Sequence, residues 1–284
     1  MRKLVIIAGA TASGKTAKSI KMAKELGGEI ICGDSMQIYK HMPIVTANPT
    51  QEEQDGVPHH LFGVISPLDN FSVSEYVKLF HFTANDISSR NKLPILVGGT
   101  GLYLDSIAHN RQYTKCSVNN KIRTNLDTLS NDELSMMLKE IDAAASETIS
   151  NNDRKRLIRA LEVYQLTGKT KTEIDSISNG ALDYDVTYYA IDMPRDILYE
   201  RINKRVNSMI DAGLVSEIQA LASMGVTQGM TASQCIGYKE ILSYLEGKVA
   251  LDDAVAQIQQ ATRRYAKRQL TWFRKNPDII WLKP

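Results

Sequence analysis

Near the start of the chain, Gly9-Ala10-Thr11-Ala12-Ser13-Gly14-Lys15-Thr16 matches G-x-x-x-x-G-K-[ST] at every fixed position. An apolar run at 4–8 precedes it and a helical pattern follows, so the motif has the strand, loop and helix setting that it needs. Gly9 and Gly14 let the backbone turn its N–H groups inward, Lys15 neutralises phosphate oxygens, and Thr16 places a hydroxyl for Mg²⁺. In an open α/β sheet such a loop lies at the carboxyl ends of the strands, where ligands bind. The spacing specifies a diphosphate or triphosphate guest. It leaves open which molecule carries it and whether a phosphoryl group is what moves.

The rest of the chain fits that architecture. Short β-rich runs at 4–8, 29–32, 61–65, 95–97 and 187–191 alternate with helical patterns, and unbroken apolar strands of this kind read as a parallel sheet covered on both faces. The expected fold is α/β, a P-loop NTPase-like core with a parallel sheet flanked by helices. From 112 to 181 the strand signal disappears, so the core is expected at 1–111 and 182–284 with a helical insertion between. In that insertion Asn152 reads as an N-cap and Gly168 as the stop of a helix with an apolar stripe of Leu157, Ala160, Leu161 and Tyr164. A helix at 196–212 ends at Gly213, and a long one from 251 to 275 carries Leu251, Val255, Ile258, Thr262 and Tyr265 on one face.

Several classes drop out. Hydrophobic residues at 43% and charged residues at 23% support a packed core and argue against wholesale disorder. No run approaches the roughly 18 apolar residues that a spanning helix needs, so no membrane partner is expected. Arg2 and Lys3 precede an apolar run that passes straight into the phosphate loop, so a cleaved leader is not expected. Cys32, Cys116 and Cys235 are odd in number and far apart, which points away from disulfides and zinc and towards a reducing cytoplasm. His59 and His60 would point to opposite faces of a strand, so no metal is assigned to them. With no N-K-x-D motif and no apolar run ending in Asp-Glu, a small-molecule kinase or transferase is favoured over a switch or a motor.

Three further features carry chemistry. Asp34 and Ser35 follow the second strand, where Asp34 could be a general base, an indirect Mg²⁺ anchor or a helix cap. Gly98-Gly99-Thr100-Gly101 follows another strand and admits either a close ligand or a tight turn. Basic residues cluster at Arg263, Arg264, Lys267, Arg268, Arg274 and Lys275, with Tyr265, Trp272 and Phe273 interleaved. Arg264, Lys267, Arg268 and Lys275 fall on one helix face. Two more clusters are Arg154-Lys155-Arg156 with Arg159, and Arg201 with Lys204 and Arg205. Each is either a solvated face or a track for phosphates, and a net charge of +2 does not choose between them.

The segments "GATASGKT", "DSMQIYKHM", "TANPT", "VPHHL", "VGGTGLYLDSI", "NDRKRLIRALEVYQLTGK", "RINKRVNSMIDAGLVSEI", "QCIGYKE" and "AKRQLTWFRK" stand in the order and approximate spacing of the tRNA dimethylallyltransferases. The chain resembles that family, in its bacterial form, from the first strand to about Trp281. The resemblance implies transfer of a dimethylallyl group from dimethylallyl diphosphate, with Mg²⁺, to N6 of the adenosine on the 3′ side of the anticodon. It implies that Gly9, Ala10, Thr11, Ala12, Ser13, Gly14, Lys15 and Thr16 hold the diphosphate, with Thr16 on the metal. Asp34, Thr11 and Arg205 are implied in catalysis, Asp34 as the base and Arg205 on the diphosphate.

For tRNA it implies Asp34, Ser35, Met36 and Gln37, Thr100 at the channel, Arg123, then Lys155, Arg156, Leu157, Ile158 and Arg159, and lastly Gln234, Cys235, Ile236, Gly237, Tyr238 and Lys239. The partners implied are the anticodon stem-loop and dimethylallyl diphosphate, and a monomer is expected. Ala10, Val45 and Asn48 depart from the usual pattern, and Val45 and Asn48 receive no role. Two other readings keep the same loop: a prenyltransferase of free adenine nucleotides, and an RNA-binding P-loop ATPase. The basic helical insertion separates the tRNA enzyme from the first, because a free nucleotide does not need it.

Overall fold

A strand covered on both faces can be apolar without alternation, and the run before the phosphate loop behaves so: Leu4, Val5, Ile6, Ile7 and Ala8 are all at most 7% exposed. In the computed structural model, which describes residues 2–111, 113, 118–177 and 183–284, this run lies in β1 (Arg2–Gly9). There follow α1 (Lys15–Leu26), β2 (Gly28–Cys32), α2 (Gln51–Gln54), β3 (His59–His60), α3 (Val73–Ser89), β4 (Leu93–Gly98) and α4 (Gly101–Ala108). Five helices come next: α5 (Asn120–Leu126), α6 (Asn131–Ile141), α7 (Ala143–Thr148), α8 (Arg154–Thr167) and α9 (Lys171–Ile177). The chain then runs through β5 (Tyr184–Ile191), α10 (Arg195–Asp211), α11 (Leu214–Ser223), α12 (Tyr238–Leu245), α13 (Leu251–Phe273) and β6 (Ile280–Leu282).

The sheet order is β3-β2-β4-β1-β5-β6, with every pair parallel. This is the expected α/β core. Parallel register brings Ala8 opposite Gly98 and Ala190, and Cys32 opposite Val97, so the carboxyl ends of β1, β2, β4 and β5 share one edge. Alternate residues serve two cores: Leu4, Ile6, Ile31 and Leu96 pack with Tyr76, Phe80 and Leu104, while Val5, Ile7, Ile30 and Ile95 pack with Ile20 and Ala23 of α1.

Contacts divide the chain into two units, Met1–Ala108 with Leu182–Pro284, and His109–Ala181. The second has its own core, with Leu126, Leu134, Leu138, Leu157 and Leu161 at its centre. Its helices start on side-chain caps: Ser130 and Glu133 form a capping box on α6, and Asp142 accepts from Ala145 N–H at 3.0 Å on α7. Cys116 and the borders expected at Gln112 and Ala181 lie outside the described residues.

Four local expectations change. The strand expected at 61–65 is instead β3, which ends because Leu61 takes a left-handed φ of 65°, and Ile65 makes a single bridge to Tyr39. The cap of α8 is Asp153, not Asn152: its side chain accepts from Arg156 N–H, although Gly168 does close the helix at φ 69°. Tyr164 stands 36% exposed at the edge of the stripe expected to bury it. On α13 the fully buried face is Ala254, Ile258, Ala266, Gln269 and Phe273, rotated from the expected face and shared with it only at Ile258.

Candidate active site

The phosphate loop leaves β1 and is pinned from beneath. Ala10 and Ala12 are buried against Met193, Leu198 and Ile202 around α10 and against Ala266 of α13. Gly14, at φ 91°, turns the chain into α1 in a conformation that disfavours a Cβ. The Ala10 carbonyl accepts from Lys15 Nζ at 2.7 Å and from Ser13 N–H at 3.2 Å, so the departure at Ala10 keeps a working backbone. Burial pushes the Lys15 ammonium down to about 8; Asp34 opposes the shift and Arg205 adds to it. Those influences place Asp34 and Arg205 within electrostatic reach of the loop lysine. Arg201, one turn before Arg205 on α10, brings Nη2 to 3.7 Å from where a Cβ on Gly14 would sit. Loss of hydration, and then Arg201, hold Arg205 below the usual arginine value.

At the end of β2, Asp34 does not cap a helix. Its Oδ1 accepts from Met36 N–H at 3.0 Å in a turn, which fixes the carboxylate near Gly99. Ser35 N–H donates to Thr100 Oγ1 at 3.0 Å, and Thr100 Oγ1 donates to Ser35 Oγ at 3.2 Å. The turn after β2 and the turn after β4 are thus tied together by side chains as well as by Gly33 N–H to Val97 O at 2.7 Å. The glycines of the second turn serve the protein's own packing. A Cβ on Gly98 would meet Gly33 O at 2.1 Å, one on Gly99 the Gln269 amide at 2.2 Å, and one on Gly101 the Trp272 indole at 2.3 Å.

The two unassigned departures have structural roles. Asn48 Oδ1 accepts from Thr46 Oγ1 at 3.0 Å. Val45 is buried; its N–H donates to Glu217 at 2.7 Å, and its side chain covers Gly237. Gln37 spends its amide on the carbonyls of Thr46 and Ala47 at 3.1 and 3.0 Å, holding that loop. Met36 is half-buried against the main core.

Two residues beside this edge were not singled out as site residues. Gln269 of α13 bonds both the phosphate loop and Gly99. Tyr265 of α13 is half-buried, and burial, then Asp34, raise its hydroxyl to well above the usual value. The sequence did hold a signal for Gln269: it falls between Ala266 and Phe273 at helical spacing, a polar side chain on an apolar stripe.

The segments expected to meet RNA divide by burial. Gln234 and Lys239 are exposed and Ile236 is half-buried, whereas Cys235, Gly237 and Tyr238 face inward, with Tyr238 donating its hydroxyl to Val226 O at 2.6 Å. In the second unit Lys155 and Arg156 are exposed, but Leu157 and Ile158 belong to the core, so their side chains are turned away from solvent. Arg123 makes a paired contact with Glu162 at 3.0 and 3.0 Å, and Arg159 reaches the same carboxylate at 2.6 Å. Arg154 is occupied by the carbonyls of Leu129 and Asp127, both at 2.8 Å.

Burial alone would raise the Glu162 carboxyl, but Arg123, Asn119 N–H and Arg159 overcome it and hold the group below the usual value. A folded value below the unfolded one contributes stability above the unfolded value, which is lost as pH falls through the folded one. Because both guanidinium groups keep solvent contact, Glu162→Ala is expected to cost only about 1–3 kcal/mol. Thermal unfolding of the variant near neutral pH should show that loss, and the deficit should shrink on acidification. An unchanged melting temperature would remove Glu162 from the account of this unit.

Along α13, the expected basic face is present: Arg264, Lys267, Arg268 and Lys275 line a cleft of about 430 Å³ with Trp272. A second cleft of about 640 Å³ beside it is lined by Arg195, Tyr199, Arg274 and Lys283 among others.

A family model described as IPP transferase matches residues 37–276. The chain is 46% identical over 279 residues to the tRNA dimethylallyltransferase of Anoxybacillus flavithermus, covering 98% of this chain and 89% of that relative. Among solved structures it is similar to the full-length tRNA isopentenylpyrophosphate transferase from Bacillus halodurans, at 40% identity and TM-score 0.75 over 100% of this chain and 90% of the other. A eukaryotic dimethylallyltransferase acting on tRNA is similar at 30% identity and TM-score 0.86, over 100% of this chain and 74% of that one.

Proposed function

The chain belongs to the IPP transferase family, and on that premise we propose that it transfers the dimethylallyl group of dimethylallyl diphosphate to N6 of the adenosine 3′ of the anticodon in tRNA. The observation that carries the reading is the meeting, at one sheet edge, of a phosphate-binding loop, two α10 arginines and the carboxylate of Asp34. An ATPase that only hydrolyses its nucleotide has no acceptor substrate to deprotonate. A carboxylate held rigid beside the loop and the arginines, on a turn tied to Thr100, suits an acceptor whose proton must be removed.

In this reading the allylic C–O bond of the donor breaks, positive charge builds on the prenyl carbon, and negative charge builds on the departing diphosphate. Lys15, Arg205 and the loop N–H groups from Gly14 onward oppose that negative charge. Thr11 anchors the first half of the loop. Asp34 orients the exocyclic amine and accepts its proton as the new C–N bond forms, while Thr100 and Ser35 position the base. The base must leave its stack to be reached.

Exposed on the first turn of α1, Thr16 fits Mg²⁺ shared with a diphosphate, since that ion takes one or two protein ligands beside phosphate oxygens and water. No group of three or more His, Cys, Asp or Glu able to hold a metal occurs among the described residues, and the Thr16 hydroxyl is proposed as the protein's ligand. Bound there, Mg²⁺ would neutralise charge on the leaving group. Ser13 Oγ is buried without a hydrogen-bond partner, which also fits an anion entering this loop.

The exposed Lys155, Arg156, Gln234 and Lys239, with Arg123 and Arg159, are proposed to meet the anticodon stem-loop. The enzyme is proposed to act as a monomer, in the cytoplasm. No described helix is long and apolar enough to cross a membrane.

The test is a choice of acceptor. Given dimethylallyl diphosphate and Mg²⁺, the protein should prenylate an unmodified anticodon stem-loop far faster than AMP, read by nucleoside mass after digestion. Equal rates would assign it to the free-nucleotide enzymes.

A further inference from the structure

Gln269 is 5% exposed near the C-terminal end of α13, yet both ends of its amide are used. Oε1 accepts from Thr11 N–H at 2.9 Å, and Nε2 donates to Gly99 O at 2.9 Å. The chemistry fixes the orientation of the amide, because the Thr11 N–H can only donate and the Gly99 carbonyl can only accept. One side chain therefore spans the phosphate loop after β1 and the turn after β4, two segments that are 88 residues apart in the chain if counted from Thr11 to Gly99.

The surroundings leave it little freedom. Gly99 has no Cβ where one would strike the Gln269 amide at 2.2 Å, so the turn approaches α13 closely enough to make the bond. One turn further on, Trp272 Nε1 donates to Asp105 Oδ2 at 2.7 Å, and the Trp272 ring lies over Gly101. Ala266, one turn earlier, packs with Ala10 and Ala12 of the loop. The same α13 face thus holds the phosphate loop on one side and the Gly99–Thr100 turn on the other, and the Gln269 amide is the polar link between them.

We propose that Gln269 is a positioning residue for the transfer reaction: it sets the spacing between the diphosphate loop and the Thr100 turn that faces the acceptor. This rests on the transfer reading. By occupying the Thr11 N–H it anchors the first half of the loop, and the N–H groups from Gly14 onward are left to face the diphosphate. A displacement between donor and acceptor groups lowers the rate of the chemical step more than it lowers affinity for RNA.

The variants are Gln269→Leu, which removes both bonds at similar size, and Gln269→Glu. A carboxylate in Q269E can accept from Thr11 N–H but repels Gly99 O, whereas a protonated carboxyl accepts from one and donates to the other, restoring the link. Asp34, near Gly99, and Lys15 are the charged groups facing this position from the neighbouring turns. Dividing the activity of Q269E by that of the parent at each pH removes the part of their titration that the two proteins share.

Expected for Q269L are a fall in kcat and in affinity for inorganic diphosphate of about 10- to 100-fold, from two buried groups left unpaired, with tRNA affinity within about twofold of the parent. For Q269E the ratio to parent should rise as pH is lowered. The proposal is overturned if both folded variants keep kcat and diphosphate affinity within about twofold of the parent. It is equally overturned if kcat, tRNA affinity and melting temperature all fall together in Q269L while Q269E shows no recovery in acid. Should the parent prenylate no RNA at all, the transfer reading fails, and diphosphate affinity alone then decides whether the link orders the loop.

Discussion

Asp34→Asn is expected to lower kcat for tRNA prenylation by about 10²- to 10⁴-fold, the range for loss of a positioned general base, while the fold and RNA affinity stay near those of the parent. Asparagine retains the oxygen that accepts from Met36 N–H, so the turn should survive, and what disappears is the charge and the capacity to take a proton. The same carboxylate supports the ammonium of Lys15, whose value of about 8 should move lower in the variant. The activity loss should therefore be somewhat larger at pH 8 than at pH 7, the sign expected when a lysine loses its counter-charge. Single-turnover rates with saturating tRNA separate this from binding. A rate within about threefold of the parent would exclude Asp34 as the base.

Gly98→Ala should be the most damaging small substitution for stability at this edge. The new Cβ would lie 2.1 Å from Gly33 O and 2.6 Å from Gly33 Cα, both backbone atoms. They cannot rotate away as a side chain would, and separating them means pulling β2 from β4 where Gly33 N–H bonds Val97 O. Overpacking of this kind costs about 3 kcal/mol or more, which corresponds to a drop in melting temperature of roughly 6 to 12 °C in a chain of this size. Calorimetry of the variant checks it. A melting temperature unchanged within about 1 °C would mean that these strands do not touch as described.

The phosphate loop, its flanking strand and helix, and the parallel core were legible in the sequence because each rests on local pattern: glycine spacing, an unbroken apolar run, and helical periodicity. The strand at β3 was misplaced because a two-residue strand has no periodicity to read, and a left-handed residue, Leu61, ended it where apolar character continued. β6 was missed for a similar reason, with three residues and Ile280 half exposed.

At the site, Asp34 stood out through its position after a strand, but whether it capped a helix depended on the fold of residues 35–38, which form a turn. Gln269 and Tyr265 reach this edge from α13, more than 160 residues after Thr100 in the chain. Nothing local marks such a contact except a polar residue on an apolar stripe. The burial of Leu157, Ile158, Cys235 and Tyr238 shows the converse, since a segment singled out as a whole presents only the residues on one side of its helix or turn.

In the proposed transfer the phosphate loop holds the leaving group, and that claim can be tested at the level of atoms. With dimethylallyl diphosphate, Mg²⁺ and tRNA lacking the modification, the account predicts release of diphosphate in equal amount to the adenosine that gains the five-carbon group, and no release when tRNA is omitted. Phosphate release from ATP stimulated by RNA, with no gain of mass on the adenosine, would contradict it.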